Sequence, residues 1–160
     1  MQTIRDSFIR IFDYVSYCDG CCEPVNPCGN MGIGSIIYKV KSKEVVFKHA
    51  DYFQSHKDNS NNVAEYLALI SVLDFFISEE LTKSKILILG DSKLFVMQMS
   101  GEWKIKGGRY VPYANEAKEK KKKLLKPLYR WIPREQNATA DELSKSMLIK
   151  NNVEFRIQPR

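Results

Sequence analysis

Ile11-Phe12-Asp13-Tyr14-Val15-Ser16-Tyr17-Cys18-Asp19-Gly20 is apolar and aromatic for most of its length and stops at an Asp-Gly pair. Ile11 to Cys18 therefore reads as a central strand ending at Asp19. Glu23 to Gly34 then holds Pro24, Pro27, Gly29, Gly32 and Gly34 and reads as a turn-rich link. Gly34 to Val40 and Val45 to Phe53 are β-prone again, so the chain opens with an antiparallel meander of three strands. Behind the polar Ser60 to Asn62, Leu69, Leu73, Phe76 and Ile77 recur at helical spacing. Lys85 to Leu89 reads as a buried strand and Lys93 to Met99 as a short helix ending at Gly101. Tyr113 to Leu125 follows as a helix, Leu128 to Ile132 as a strand stopped by Pro133, and Ala138 to Ile149 as a closing helix. This order predicts an α/β domain over residues 12–149, a mixed five-stranded sheet flanked by helices. Residues 1–11 form an N-terminal extension and residues 150–160 a C-terminal tail without a readable motif.

Four acids stand in distinct frames along that order. Asp19 ends the first strand, Glu65 opens the helix in Asn61-Asn62-Val63-Ala64-Glu65, Asp91 ends Ile86-Leu87-Ile88-Leu89-Gly90-Asp91-Ser92, and Asp141 begins the last helix in Asn137-Ala138-Thr139-Ala140-Asp141-Glu142-Leu143. Carboxylates at strand ends and helix starts can converge on one side of a sheet. They repel one another unless hard cations such as Mg²⁺ neutralise them, and two such ions about 4 Å apart form a phosphodiester-cleaving device.

Each acid also has an ordinary explanation. Asp-Gly is a common turn pair. With Asn62 as N-cap, Glu65 would occupy the capping-box position. Asp91 or Ser92 could cap the helix that follows, and Asp141 lies in a first turn where the helix dipole favours any acid. Only the joint arrangement argues against all of these at once.

The four frames, in this order, resemble the ribonuclease H type I family over about Phe12 to Leu148. The resemblance implies the ribonuclease H-like fold and endonucleolytic hydrolysis of the RNA strand of RNA/DNA hybrids, leaving 5′-phosphate ends. It implies two Mg²⁺ ions, replaceable by Mn²⁺, held by Asp19, Glu65, Asp91 and Asp141, with Asp19 bridging them. It places Asn61 and Asn62 in the minor groove of the hybrid, Ser60 on a phosphate, and Asn26 and Ser92 among the substrate contacts. Many members carry a mobile His before the last Asp. Here that segment is Ile132-Pro133-Arg134-Glu135-Gln136-Asn137, and Arg134 is the candidate for the same electrostatic task. Too few residues lie between Ser100 and Tyr113 for the family's basic protrusion, so the chain resembles the compact branch.

Composition suits a polyanionic partner without proving one. The chain of 160 residues has 44% apolar residues and a formal net charge of +6 in spite of its acidic centre. Lys118 and Lys120 to Lys123, near Trp103, Tyr110 and Tyr113, offer a basic and aromatic surface, and Lys120 and Lys121 are the candidate contacts. The competing reading is a solvated helix face, with Trp103 a core residue. No apolar run approaches the ~20 residues needed to span a bilayer. Met1 to Phe12 lacks the pattern of a secretory signal, so the expectation is a cytoplasmic monomer with no membrane contact and no obligate protein partner.

Cys18, Cys21, Cys22 and Cys28 crowd one stretch. A structural zinc is conceivable from the Cys18-x-x-Cys21 spacing, but there is no second pair, and His49 and His56 are remote. Reduced thiols are the better reading. Three rivals to the hybrid nuclease stay open: a nuclease for double-stranded RNA or ribonucleotide junctions, a noncatalytic nucleic-acid-binding module, and a zinc-stabilised interaction domain.

Overall fold

A computed structural model describes residues 4–156. The central strand β1 runs from Tyr14 to Glu23. It pairs antiparallel with β2 (Asn30–Lys39), which pairs antiparallel with β3 (Val45–Phe53). On its other side β1 lies parallel to β4 (Ile86–Gly90), and β4 parallel to β5 (Leu128–Trp131), giving the sheet order β3-β2-β1-β4-β5. The expected mixed five-stranded sheet with an opening meander is thus present. β4 is buried along all of Ile-Leu-Ile-Leu-Gly, as a strand covered on both faces must be.

Helices cover the sheet according to their apolar stripes. The first, α1 (Asp6–Ile9), lies in the N-terminal segment, where Ile4, Phe8, Ile9 and Phe12 pack on Val15, Leu87, Leu89 and Ile132. The long helix α2 (Asn61–Ser78) buries residues all around its circumference, from Val63 and Ala64 to Leu73 and Phe76, because it lies between the sheet and further helices. Those include α3 (Lys93–Met99) and α4 (Val111–Lys121). The closing helix α5 (Ala138–Lys150) follows a 3₁₀ turn at Arg134–Gln136 and lies on β1 and β2. No helix among the described residues is long and apolar enough to cross a membrane.

Two expectations about the opening strands need correction. β1 does not end at Asp19 but continues four residues further, so Asp19 lies inside it and opposes Gly34 of β2. The link between β1 and β2 is correspondingly short, and Gly32 and Gly34 belong to β2. These two glycines permit close approach of a helix. A Cβ on Gly34 would stand 2.5 Å from the carbonyl oxygen of Ala140 and from the backbone nitrogen of Ser144, and one on Gly32 would strike the Ser144 carbonyl. The backbone of α5 therefore rests directly on β2, which fixes where the start of that helix meets the site. α4 also begins and ends earlier than the spacing suggested, and Trp103 is exposed.

Gly32→Ala should push α5 away from β2 and cost about 1–3 kcal/mol, the usual penalty of overpacking. Urea unfolding at equilibrium checks this, and an unchanged midpoint would show that the helix is free to shift.

Candidate active site

The pairing of β1 with β4 explains why two acids meet. Their last parallel pair is Tyr17 with Leu89, and Asp19 and Asp91 each lie two residues beyond it. Side chains alternate along strands, so both carboxylates leave the register in the same sense, where the parallel strands end. Glu65, in the second turn of α2, adds the third. Oxygens of Asp19, Glu65 and Asp91 all lie within 4.8 Å of one another.

The trio is partly buried, at the bottom of a cleft. Asp19 is 5% exposed, and Oε2 of Glu65 is buried without a hydrogen-bond partner. Burial first, and then the charge of Asp91, holds the Asp19 carboxyl well above the usual carboxylate range. Burial and the charge of Asp19 raise Glu65 in the same way. An orphaned buried carboxylate oxygen facing two further acids is a donor set for a hard, oxygen-preferring divalent cation, and the three residues fit such an ion.

The expected fourth acid is placed differently. Asp141 lines the same cleft, about 330 Å³ in volume, but stands outside the group of three. Lys145, one turn along α5, donates to its Oδ2 at 2.9 Å, and Arg134 lies 3.5 Å from its Oδ1. Its charge is thus already balanced by the protein. Arg134 itself is largely exposed at the mouth of the cleft.

Neighbouring polar groups hold the trio in place. Asn137, the N-cap of α5, donates from Nδ2 to the Cys18 carbonyl at 3.0 Å and to Oδ1 of Asp91 at 3.2 Å. Trp131 Nε1 donates to the carbonyl of Asp91 at 3.0 Å. The Ser144 hydroxyl lies 3.2 Å from Asp19 Oδ2 and 2.8 Å from the Asp141 carbonyl, with one proton to offer the two. Asn137 stood inside the Asn-x-x-x-Asp frame without a role, and Lys145 had the (i, i+4) spacing that marks a helical ion pair. Ser144 and Trp131 carried no comparable signal.

The amides beside Glu65 form a small lattice. Asn61 Oδ1 accepts from the Cys22 N–H at 2.8 Å, and the Asn61 N–H donates to Asn26 Oδ1 at 2.9 Å. Asn62 is exposed on the wall of the cleft, where Ser92 also lies. The helix cap is Ser60, whose hydroxyl accepts from the Val63 N–H at 3.1 Å. This corrects the capping alternative built on Asn62: Glu65 lies too far along α2 to reach back to the cap.

Two groups of residues fall outside the site. The Lys120 ammonium is engaged by Asp74 and by Glu116, and that of Lys121 by the Met99 carbonyl, with the Tyr129 ring 5.6 Å away. Neither residue lines the cleft, and the carboxylates that pair with Lys120 are themselves exposed, so those ion pairs lie on the surface. The four thiols turn to four different carbonyls, of Leu89, Ser144, Val25 and Lys57, so they share no point at which an ion could sit. Burial pushes the Cys21 thiol up to about 11.

Fold and site together define a ribonuclease H-like chain with an acidic cluster fit for metal. Residues 18–147 match the family model described as reverse transcriptase-like, and the chain belongs to that family. It is 33% identical over 123 residues to the bifunctional protein Rv2228c of Mycobacterium tuberculosis, covering 77% of this chain and 32% of that one. The chain thus spans about a third of the length of that curated relative. Among solved structures it is similar to the N-terminal RNase H domain of the same mycobacterial protein, with a TM-score of 0.78 and 28% identity over 88% of this chain and 96% of that one. LC11-RNase H1, solved with an RNA/DNA hybrid, gives a TM-score of 0.76 and 30% identity over 87% and 99% of the two chains. RNase H1 of Halobacterium salinarum gives 0.74 and 26% over 86% and 98%. LC11-RNase H1 and the Halobacterium enzyme are type 1 ribonucleases H, the family that the four acidic frames resemble.

The raised carboxyl groups make the metal-free protein pay for its site. A carboxyl whose folded pKa is raised favours folding below the unfolded value of about 4, and this contribution is lost as pH rises through the folded value. In EDTA, Asp19→Asn should therefore raise the melting temperature, and by more at pH 8 than at pH 5. Adding Mg²⁺ should narrow the gap by stabilising the wild type. Thermal melts of both proteins at the two pH values check this, and a gap independent of pH and metal would contradict the repulsion.

Proposed function

We propose that this chain hydrolyses the RNA strand of RNA/DNA hybrids as a divalent-metal-dependent endonuclease. The observation that carries the reading is the trio of carboxylates within 4.8 Å, one with a buried and unpartnered oxygen. The hybrid bound to the similar LC11-RNase H1 supports the choice of substrate. Two Mg²⁺ ions, which Mn²⁺ could replace, would supply a water of lowered pKa and positive charge near the leaving 3′-oxygen.

The chain's own residues then have separable tasks. Asp19, Glu65 and Asp91 would hold the metals, with Asp19 as the candidate for a ligand common to both, and Asp141 would add its charge from the rim. Asn137 and Trp131 keep Asp91 from turning away, which preserves the geometry between turnovers. Asn26 and Asn61 brace one another and Cys22, presenting a rigid amide edge to the minor groove, where 2′-hydroxyls mark the RNA strand. Asn62 and Ser92 extend that contact, and Ser60 would meet a phosphate. Arg134 leans on Asp141 and can swing toward a phosphate oxygen. Lys120 and Lys121 would grip the backbone away from the cleft, Lys120 by exchanging its surface ion pairs for phosphate. The chain acts as a monomer in this reading.

Glu65→Gln is the informative variant, because it keeps the shape of the side chain and removes its charge. Cleavage of a labelled hybrid in Mg²⁺ should fall at least about 100-fold, while the melting temperature in EDTA holds or rises. Substrates of all-DNA duplex, all-RNA duplex and DNA with a ribonucleotide patch set the specificity. Cuts should fall on ribonucleotides of hybrid segments only. Equal cleavage of all-DNA duplex would overturn the substrate assignment, and full activity of Glu65→Gln would overturn the metal site.

A further inference from the structure

Residues 151–156 carry no motif, yet they return across the far end of β1. Arg156 donates its backbone N–H to Glu23 Oε2 at 3.0 Å and its Nε to the same oxygen at 3.1 Å. Its Nη2 reaches the Cys22 carbonyl at 2.9 Å and Glu23 Oε1 at 3.4 Å. Arg156 thereby joins the wall of the cleft that holds Asp19, Glu65 and Asp91. Two acceptors fix the plane of the guanidinium. Among the described residues, neither N–H of Nη1 has a protein partner.

The electrostatics of the cleft give this arrangement a purpose. Among the described residues, five carboxylates line it, those of Asp19, Glu65, Asp91, Asp141 and Glu23, against the side chains of two cationic residues, Arg134 and Arg156. Arg134 stands beside Asp141. Glu23 lies four residues past Asp19 on the same face of β1, roughly 13 Å along the strand. An uncompensated Glu23 would repel a polyanion on that side. Arg156 cancels its charge and keeps spare donors, and a planar guanidinium held in one orientation is well matched to a phosphate. Cys22, whose carbonyl Arg156 grips, is also tied through its N–H to Asn61.

We propose that Arg156 is a positioning contact for a backbone phosphate of the nucleic-acid strand that crosses the cleft on the Glu23 side, with Glu23 as the group that aims it. This rests on the nuclease reading above. The opposing account is a strap, in which Arg156 only ties the tail to β1. In a strap both substitutions only loosen the tail, Glu23→Gln the less because Arg156 keeps its bond to the Cys22 carbonyl, and they do not shift binding of the nucleic acid in opposite senses. In a phosphate contact they do: loss of Arg156 removes attraction and exposes a carboxylate, whereas loss of the Glu23 charge removes repulsion.

The test uses the full chain and its variants Arg156→Gln, Glu23→Gln, the double variant and Arg156→Lys. Binding to a fluorescein-labelled RNA/DNA hybrid is read by anisotropy in EDTA across a salt series, and cleavage is followed separately in Mg²⁺. Arg156→Gln should weaken binding about tenfold and reduce the slope of log affinity against log salt by about 0.7–0.9. Glu23→Gln should bind as well as wild type or better, the double variant should recover part of the loss, and Arg156→Lys should keep the wild-type salt slope. Weakening by both Arg156→Gln and Glu23→Gln with unchanged slopes would establish the strap and overturn the proposal. Wild-type protein that binds the hybrid but does not cut it would sink the nuclease reading while the contact stands on the binding data. A wild type that does neither overturns both.

Discussion

Mutual repulsion among Asp19, Glu65 and Asp91 is the constraint to which the rest of the site answers. Three carboxyl groups within 4.8 Å, one buried and two partly so, repel one another when ionised together without a cation. The sheet imposes this proximity, because Asp19 and Asp91 extend a parallel register and α2 packs Glu65 down beside them. A fold that tolerates such a cluster has to hold it rigidly, or the groups would simply rotate apart into solvent. Backbone hydrogen bonding of the sheet, Asn137, Trp131 and the close seat of α5 on β2 supply that rigidity.

The same constraint separates the acids into two kinds. The trio is left without protein cations, and its compensation must come from outside the chain. Asp141, by contrast, has Lys145 and Arg134, and Glu23 has Arg156. Charges at the rim are balanced by the protein and those at the centre are not, so positive ions are drawn to the centre and a polyanion can still approach the edge.

Much of this was legible in the residues, for identifiable reasons. Long elements with one dominant pattern, such as the meander, α2 and the Ile-Leu-Ile-Leu run of β4, lay close to where their periodicity placed them. Asp19, Glu65 and Asp91 could be singled out because each interrupts an apolar segment. The limit of β1 was misjudged because Asp-Gly usually signals a turn, whereas here the strand passes straight through it. Gly32, read as part of the link, misled for a similar reason: glycine marks both bends and close backbone approach, and only the packing of α5 decides between them. The capping reading failed because Ser60, one residue before the Asn-Asn pair, proved to be the cap. Lys120 and Lys121 stand in a run of four lysines, where local pattern gives no sign of the pairing of Lys120 with Asp74 and Glu116 or of the bond from Lys121 to the Met99 carbonyl. The reach of Arg156 to Glu23 is a contact between residues remote in sequence, for which local patterns hold no signal.

Crystals grown without metal and soaked in MnCl₂, with anomalous diffraction recorded at the manganese edge, test the central claim most directly. The account predicts an anomalous peak coordinated by Asp19, Glu65 and Asp91, which is lost in Asp19→Asn. Manganese bound elsewhere on the protein with none among these three carboxylates would contradict it.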